Sequence, residues 1–332
     1  MPQINIFKDD PYAQLFSNIP EPILVGYGGS YAYGTNIEGS DIDIRGICHE
    51  TVDGLMGIRK MPEQYEDAST DTVIYSFRKA IKLLSDCNPN VIEIFGLRPQ
   101  DYLAIGRPGK KLLDHKSLFL SKKAAITFGG YAKSQLNRLV NRSGRSKDHL
   151  LENETRSINK VIEGFATRYN MTQCDFSASE NENTINVSMR CDSIPIEQLS
   201  NMLNEINEVN NNYKKSTRNT KAMTRGKLSK HQMHLLRLYM MGIDILNKKE
   251  IITFREDEHD LLMSIRNGNY LEADGVTPTM EFEEILADYQ KMFDEATRTT
   301  TLPDVPDYDK INWLVRSVNA ELLKMEMDDL YD

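Results

Sequence analysis

Asp41 and Asp43 stand two residues apart in the run Ser40-Asp41-Ile42-Asp43-Ile44-Arg45-Gly46. On a strand, that spacing projects both carboxylates from one face while Ile42 and Ile44 enter the core behind it. Two carboxylates on a rigid face are hard oxygen donors of the kind magnesium prefers, an ion that keeps several waters and completes its shell with substrate phosphates. A third acid would complete a site for two ions, which sit about 3.5–4 Å apart and clamp the attacking and leaving oxygens of an in-line displacement. Asp71, at the entry to the next expected strand, is the first candidate for that acid, with Glu66 and Glu93 as alternatives.

Upstream, Gly28 and Gly29 let backbone approach an anion with no side chain in the way, and Ser30 supplies a hydroxyl where a short helix could begin. Gly34 permits a turn in the same loop, and Ser40 can cap or orient the strand that carries the aspartates. Arg45 shares the face of Asp43 and can neutralise a phosphate or pair with an aspartate. Taken singly, a glycine pair before serine is a turn and an Asp-x-Asp is a solvated strand edge. In the order strand, Gly-Gly-Ser, short helix and Ser-Asp-x-Asp, they make a phosphate cradle beside a cation site.

The runs Gly29-Ser30-Tyr31-Ala32-Tyr33-Gly34-Thr35 and Ser40-Asp41-Ile42-Asp43-Ile44-Arg45-Gly46 resemble the signature of the DNA polymerase β-like nucleotidyltransferase superfamily. Within it the chain most resembles a bacterial and phage group of nucleotidyltransferases associated with RNA ligases. The likeness extends to Asp71-Thr72-Val73-Ile74-Tyr75, to Asn88-Pro89-Asn90 with Glu93, and to the helix from Lys230 to Arg237. The resemblance implies a nucleoside triphosphate donor such as ATP, two ions of magnesium or manganese, and transfer of a nucleoside monophosphate to a hydroxyl as pyrophosphate leaves. It maps the superfamily's catalytic, metal-binding acids onto Asp41, Asp43 and Asp71. An RNA or tRNA end is the expected acceptor. The alternatives are a protein hydroxyl, a catalytically silent nucleotide- or RNA-binding module and, further off, antibiotic modification.

Lys230, His234 and Arg237 recur at helical spacing and share one face, with Met233, Leu236, Met240 and Ile243 expected on the other. Such a cationic stripe can hold a triphosphate and stabilise departing pyrophosphate; the plainer reading is a solvated basic face. The nucleotide-binding set is therefore Gly29, Ser30, Ser40, Arg45, Lys230, His234 and Arg237. From Lys214 to Lys230 basic residues run without an acid, as a solubilising loop or a grip on an RNA backbone. His231 and His234 do not have a spacing that points to zinc.

These groups need elements to hold them. Ile23 to Tyr27 and Asp41 to Ile47 read as strands bracketing the cradle, Thr72 to Tyr75 as a third strand, and Phe77 to Leu84 as an amphipathic helix. Asn88-Pro89 restarts the chain as N-cap and first helical residue of a segment running to about Phe95. Gly106-Arg107-Pro108-Gly109 reads as a break, and helical patterns dominate from about Ser121. The expected helices are His231 to Leu246, Asp257 to Arg266, Met280 to Thr297 and Tyr308 to Met327.

The expected fold is α+β: a polymerase-β-like nucleotidyltransferase head, with a small mixed sheet flanked by helices, over 1–120. A mainly helical domain over 121–332 follows it, with an inserted subdomain at about 170–213. The 332 residues suit two packed cores. A net charge of -9 excludes bulk coating of nucleic acid, so any RNA contact is local. The absence of a run of about 20 apolar residues excludes a membrane helix. Met1 to Asp10 lacks a secretory pattern. The four cysteines lack CxxC spacing and read as reduced thiols. A cytoplasmic protein is the expectation.

Overall fold

The computed structural model describes residues 4–58, 60–143, 169, 173–179, 184–190, 193–207, 225–275 and 277–331. The chain divides into two compact units: Met1–Asn137, Ser229–Tyr270 and Thr279–Asp332 form the first, and Arg138–Leu228 with Leu271–Pro278 form the second.

The first unit opens with a short helix α1 (Tyr12–Phe16) and strand β1 (Pro22–Tyr27), followed by α2 (Gly29–Tyr33), β2 (Ile44–Cys48) and α3 (Val52–Met56). Then come β3 (Gln64–Asp67), β4 (Thr72–Ser76), α4 (Phe77–Ser85), α5 (Pro89–Ile92), β5 (Tyr102–Ile105), α6 (Arg107–Asp114) and α7 (Lys123–Ser143). The five strands make one mixed sheet in the order β3-β4-β2-β1-β5. Strand β2 runs parallel to β4 and antiparallel to β1, placing Arg45 beside Val73 and Gly46 beside Val25. Strand β1 sits second from the β5 edge and is buried from Ile23 to Tyr27, which is why it reads as an unbroken apolar run. Strand β4 alternates: Thr72, Ile74 and Ser76 are buried, while Val73 and Tyr75 are partly open on the other face. Val25, Ile44, Cys48 and Ile74 pack with Ile6 and Phe16 as one core cluster.

The helical part of this unit comprises α8 (Arg225–Lys248), whose residues from Ser229 belong to it, with α9 (His259–Arg266), α10 (Met280–Thr299) and α11 (Tyr308–Tyr331). Helix α8 is buried on every side from Leu235 to Leu246, as expected of a helix at the centre of a core. Asp244 and Arg255 form a buried ion pair near its C-terminus, and Lys248 Nζ adds a contact of 3.0 Å to Asp244. The fold class is thus α+β, a mixed sheet followed by a mostly helical region. Among the described residues, no helix is long and apolar enough to cross a membrane.

In the second unit β6 (Gln173–Ser179) pairs antiparallel with β7 (Thr184–Arg190). Tyr169 and Met202 pack with Ile194, Leu199 and Ile206, and Leu199, Met202 and Ile206 lie on a helical segment at 196–207. The insertion expected at 170–213 falls here. Its residues 170–172, 180–183, 191–192 and 208–213, and residues 214–224 of the basic run, lie outside the described residues.

Two local expectations change. The strand expected from Asp41 begins at Ile44, because a turn closed by Ile37 and Ser40 leaves residues 41–43 outside the sheet. Gly106 to Gly109 is not a break but the start of α6, with Gly106 as N-cap and Pro108 in the first turn, where its missing N–H costs nothing.

Candidate active site

The end of β1 turns sharply into α2. Gly28 N donates to Asp43 O at 2.8 Å, extending the β1–β2 pairing by one bond past the strand and tying the glycine pair to the aspartate. Gly29 then adopts φ +52°, a left-handed conformation that costs an L side chain about 1–2 kcal/mol. A Cβ on Gly29 would overlap Asp43 Oδ2, far inside van der Waals contact. Backbone and carboxylate therefore meet where any side chain would come between them. Gly34 ends α2 with φ +68°, the usual left-handed helix stop, and its carbonyl lies 2.8 Å from His259 Nε2.

A pocket of about 470 Å³ opens over this turn. Its floor is Gly29, Ser30, Asp43 and Arg45, and Val73 and Tyr75 enter from the partly open face of β4. Asn90 and Glu93 line another side, and Gln135 of α7 faces Lys230, His231, Met233, His234 and Arg237 of α8. All of these residues belong to the first unit. His231 Nδ1 lies 3.2 Å from Gln135 Oε1, which joins the two helices at the rim.

Asp43 hydrogen-bonds Asp71, and its pKa is pushed up to about 6 by burial first and then by the bond and the charge of Asp71; Arg45 and Lys230 pull the other way. Asp71 shifts down, held there by the same hydrogen bond and, after a smaller opposing effect of burial, by Arg45. Two carboxylates this close repel when both are ionised, which is why Asp43 rises while Asp71, held on the guanidinium, falls. Asp71 stands at φ 43°, a left-handed position that aspartate tolerates better than most residues. Its backbone oxygen accepts from Ile44 N at 3.2 Å, where β2 and β4 begin to pair. The Arg45 guanidinium bridges the two acids, with Nη2 at 3.1 Å from Asp71 Oδ1 and 3.6 Å from Asp43 Oδ1.

The donor chemistry fits a hard divalent cation. Two adjoining carboxylates lean on a single guanidinium, and the further positive charge they need when both are ionised is what a cation supplies. Among the described residues, no three His, Cys, Asp or Glu side chains are grouped closely enough to hold a metal ion. The oxygen donors that meet in the site are Asp43 and Asp71.

Most of the residues singled out from sequence converge here: Gly29, Ser30, Asp43, Arg45, Lys230, His234 and Arg237 all line the pocket. Asp71 touches it through Asp43 and Arg45. Asp41 is exposed and is not a lining residue. Ser40 closes the turn before it, with Oγ accepting from Ile37 N at 2.9 Å. Ser40→Ala should therefore cost about 0.5–1 kcal/mol of stability, read as a small drop in melting temperature, while nucleotide affinity stays within about twofold. Glu66 is exposed on β3 and accepts from Gln64, and Glu93 accepts from the Tyr33 hydroxyl at 2.9 Å. Met233, expected on the apolar side of α8, lines the pocket instead. Sequence spacing missed Val73, Tyr75, Asn90, Gln135 and His231, which reach the site only through tertiary packing. Val73, Tyr75, Asn90 and His231 lie in runs that carry the family resemblance, and that is the signal that marks them.

A family model described as the RNA repair pathway DNA polymerase beta family matches residues 23–317. The match spans the sheet, the pocket and most of the helical region. No curated protein and no solved structure matches the chain.

Proposed function

The chain belongs to the RNA repair pathway DNA polymerase beta family, and we propose that its pocket transfers a nucleoside monophosphate from a nucleoside triphosphate to the hydroxyl of an RNA or tRNA end. The observation that carries this reading is the contact between the Gly29 backbone and the Asp43 carboxylate, so close that a Cβ could not fit between them. A phosphate lying over Gly29 and Ser30 then lies against the acid pair.

Asp43 and Asp71 would hold the magnesium or manganese, with the exposed Asp41, two residues before Asp43, as a further oxygen donor. Bound there, the two ions of this reading would neutralise phosphate charge and lower the pKa of the acceptor hydroxyl. The chain's own cations do the rest of the electrostatic work. Arg45, released from the acids, and Lys230 with Arg237 from α8 face the same volume and offset the charge of the triphosphate and of the leaving pyrophosphate. His234 lines the pocket on the same face of α8 and can donate to a phosphate oxygen. Val73 and Tyr75 wall the pocket and restrict water near the reacting atoms. Catalysis of this kind is positioning and charge neutralisation, with no covalent intermediate on the protein.

The test is to incubate the protein with each α-labelled nucleoside triphosphate in magnesium or manganese, with total RNA or total protein as acceptor. Label that becomes acid-precipitable with RNA and is released by nuclease is the expected result. Label released by protease alone would move the acceptor to a protein side chain. Nucleotide binding without turnover would leave a silent module.

A further inference from the structure

Glu93 lines the pocket without joining the acid pair, and what it does is visible in its partners. The Tyr33 hydroxyl donates to Glu93 Oε2 at 2.9 Å. The Arg237 guanidinium lies on the face of the Tyr33 ring, with Cζ 3.3 Å from the centroid. Arg237 is 7% exposed and Tyr33 4%, so this stack is enclosed. Arg237 Nε is buried and makes no hydrogen bond. A buried guanidinium nitrogen left open is costly unless something completes it, and Arg237 is one of the residues that line the pocket.

The chain Glu93, Tyr33, Arg237 is ordered by its chemistry. Burial and the neighbouring Glu93 charge push the Tyr33 pKa well above its usual range, so the hydroxyl stays a donor at any working pH. Its bond to Glu93 anchors the far end of the enclosed ring, and the ring offers a flat aromatic face on which the guanidinium stacks. Arg237 is thereby prepared before any ligand arrives, and little side-chain entropy remains to be lost on binding.

We propose that Glu93 and Tyr33 are positioning residues that hold Arg237 as a preformed receptor for the polyphosphate tail of the nucleotide, and that Glu93 is not a metal ligand. The inference rests on reading the pocket as a nucleotidyltransferase site.

The experiment is calorimetric titration of the full chain with inorganic tripolyphosphate, alongside KM and kcat for α-label transfer. Arg237→Met should weaken tripolyphosphate binding about tenfold or more, and Arg237→Lys should not restore it, because an ammonium neither stacks nor presents a planar fork. The informative pair is Glu93→Ala against Glu93→Gln. Both remove the carboxyl group, but glutamine still accepts from Tyr33, so the alanine variant should bind about fivefold more weakly and show the higher KM. Tyr33→Phe keeps the ring, loses the bond and should weaken binding like the alanine change, which guards against a Glu93 variant that fails to fold. Equal binding by the two Glu93 variants, or wild-type binding by Arg237→Met, would overturn the proposal while active wild-type protein left the nucleotidyltransferase reading standing. A loss of manganese affinity in Glu93→Gln as large as in Asp43→Asn would overturn it too. A wild-type chain that neither binds tripolyphosphate nor transfers label would bring down both.

Discussion

Asp43→Asn is expected to lower nucleotidyl transfer by about 10³-fold or more while making the metal-free protein more stable at neutral pH. The two effects share one cause. Burial and the hydrogen bond and charge of Asp71 push the Asp43 pKa up to about 6, above the roughly 3.9 of an aspartate in an unfolded chain. The protonated carboxyl thus adds stability that is fully present below about pH 4 and is lost as pH rises through about 6. Above that, the folded chain carries a charge its surroundings disfavour. Asparagine is neutral throughout and can still donate to Asp71. After allowance for the opposite shift of Asp71 and for solvent screening, the gain at about pH 7.5 is on the order of 1 kcal/mol, or roughly 2 °C in melting temperature. Melting curves of wild type and variant in chelator should separate at about pH 7.5 and converge near pH 4. A variant that melts lower than wild type at neutral pH would show that the acid pair is a structural contact.

Gly29→Ala should be nearly as damaging by a different route. The left-handed φ of +52° strains any L side chain, and the new Cβ would overlap the Asp43 carboxylate. Either the α2 turn or the aspartate must shift. A displacement of about 1 Å at such a centre costs on the order of 10²-fold in rate, and the strain about 2–3 kcal/mol in stability. Gly39 supplies the internal control, since it stands at φ +78° with nothing within 4 Å of a built Cβ. Gly39→Ala should cost only the backbone strain, about 1 kcal/mol, and leave transfer close to wild type. If the two alanine variants lose stability and activity equally, the contact between cradle and carboxylate has no catalytic weight.

How far these features could be read in the sequence depended on how local they are. Gly29, Ser30 and Asp43 belong to two short runs, and their order along the chain already carries the geometry. The period-2 alternation through Asp41 was less informative, because it assigns faces only to residues inside the sheet, and the Ile37–Ser40 turn keeps Asp41 outside it. Strands β3 and β5 escaped notice because each is four residues long at a sheet edge, too short for a pattern to show. On α8, a helical wheel placed Arg237 on the correct face but put Met233 on the wrong one. Met233 is buried and yet lines the pocket, so an apolar side chain here does not mark the side away from the site. The Tyr33–Glu93–Arg237 stack could not be read at all, since Tyr33 and Glu93 are 60 positions apart and neither spacing nor residue type predicts their bond.

The most direct measurement of the central claim uses one nucleoside triphosphate in two labelled forms, at the α and at the γ phosphate, with an RNA acceptor and magnesium. The account predicts that α label enters the RNA, that γ label leaves as pyrophosphate in equal amount, and that Asp43→Asn stops both. Label from the γ position on the acceptor would mean phosphoryl transfer, and α label transferred equally well by Asp43→Asn would mean that the chemistry lies elsewhere than in this pocket.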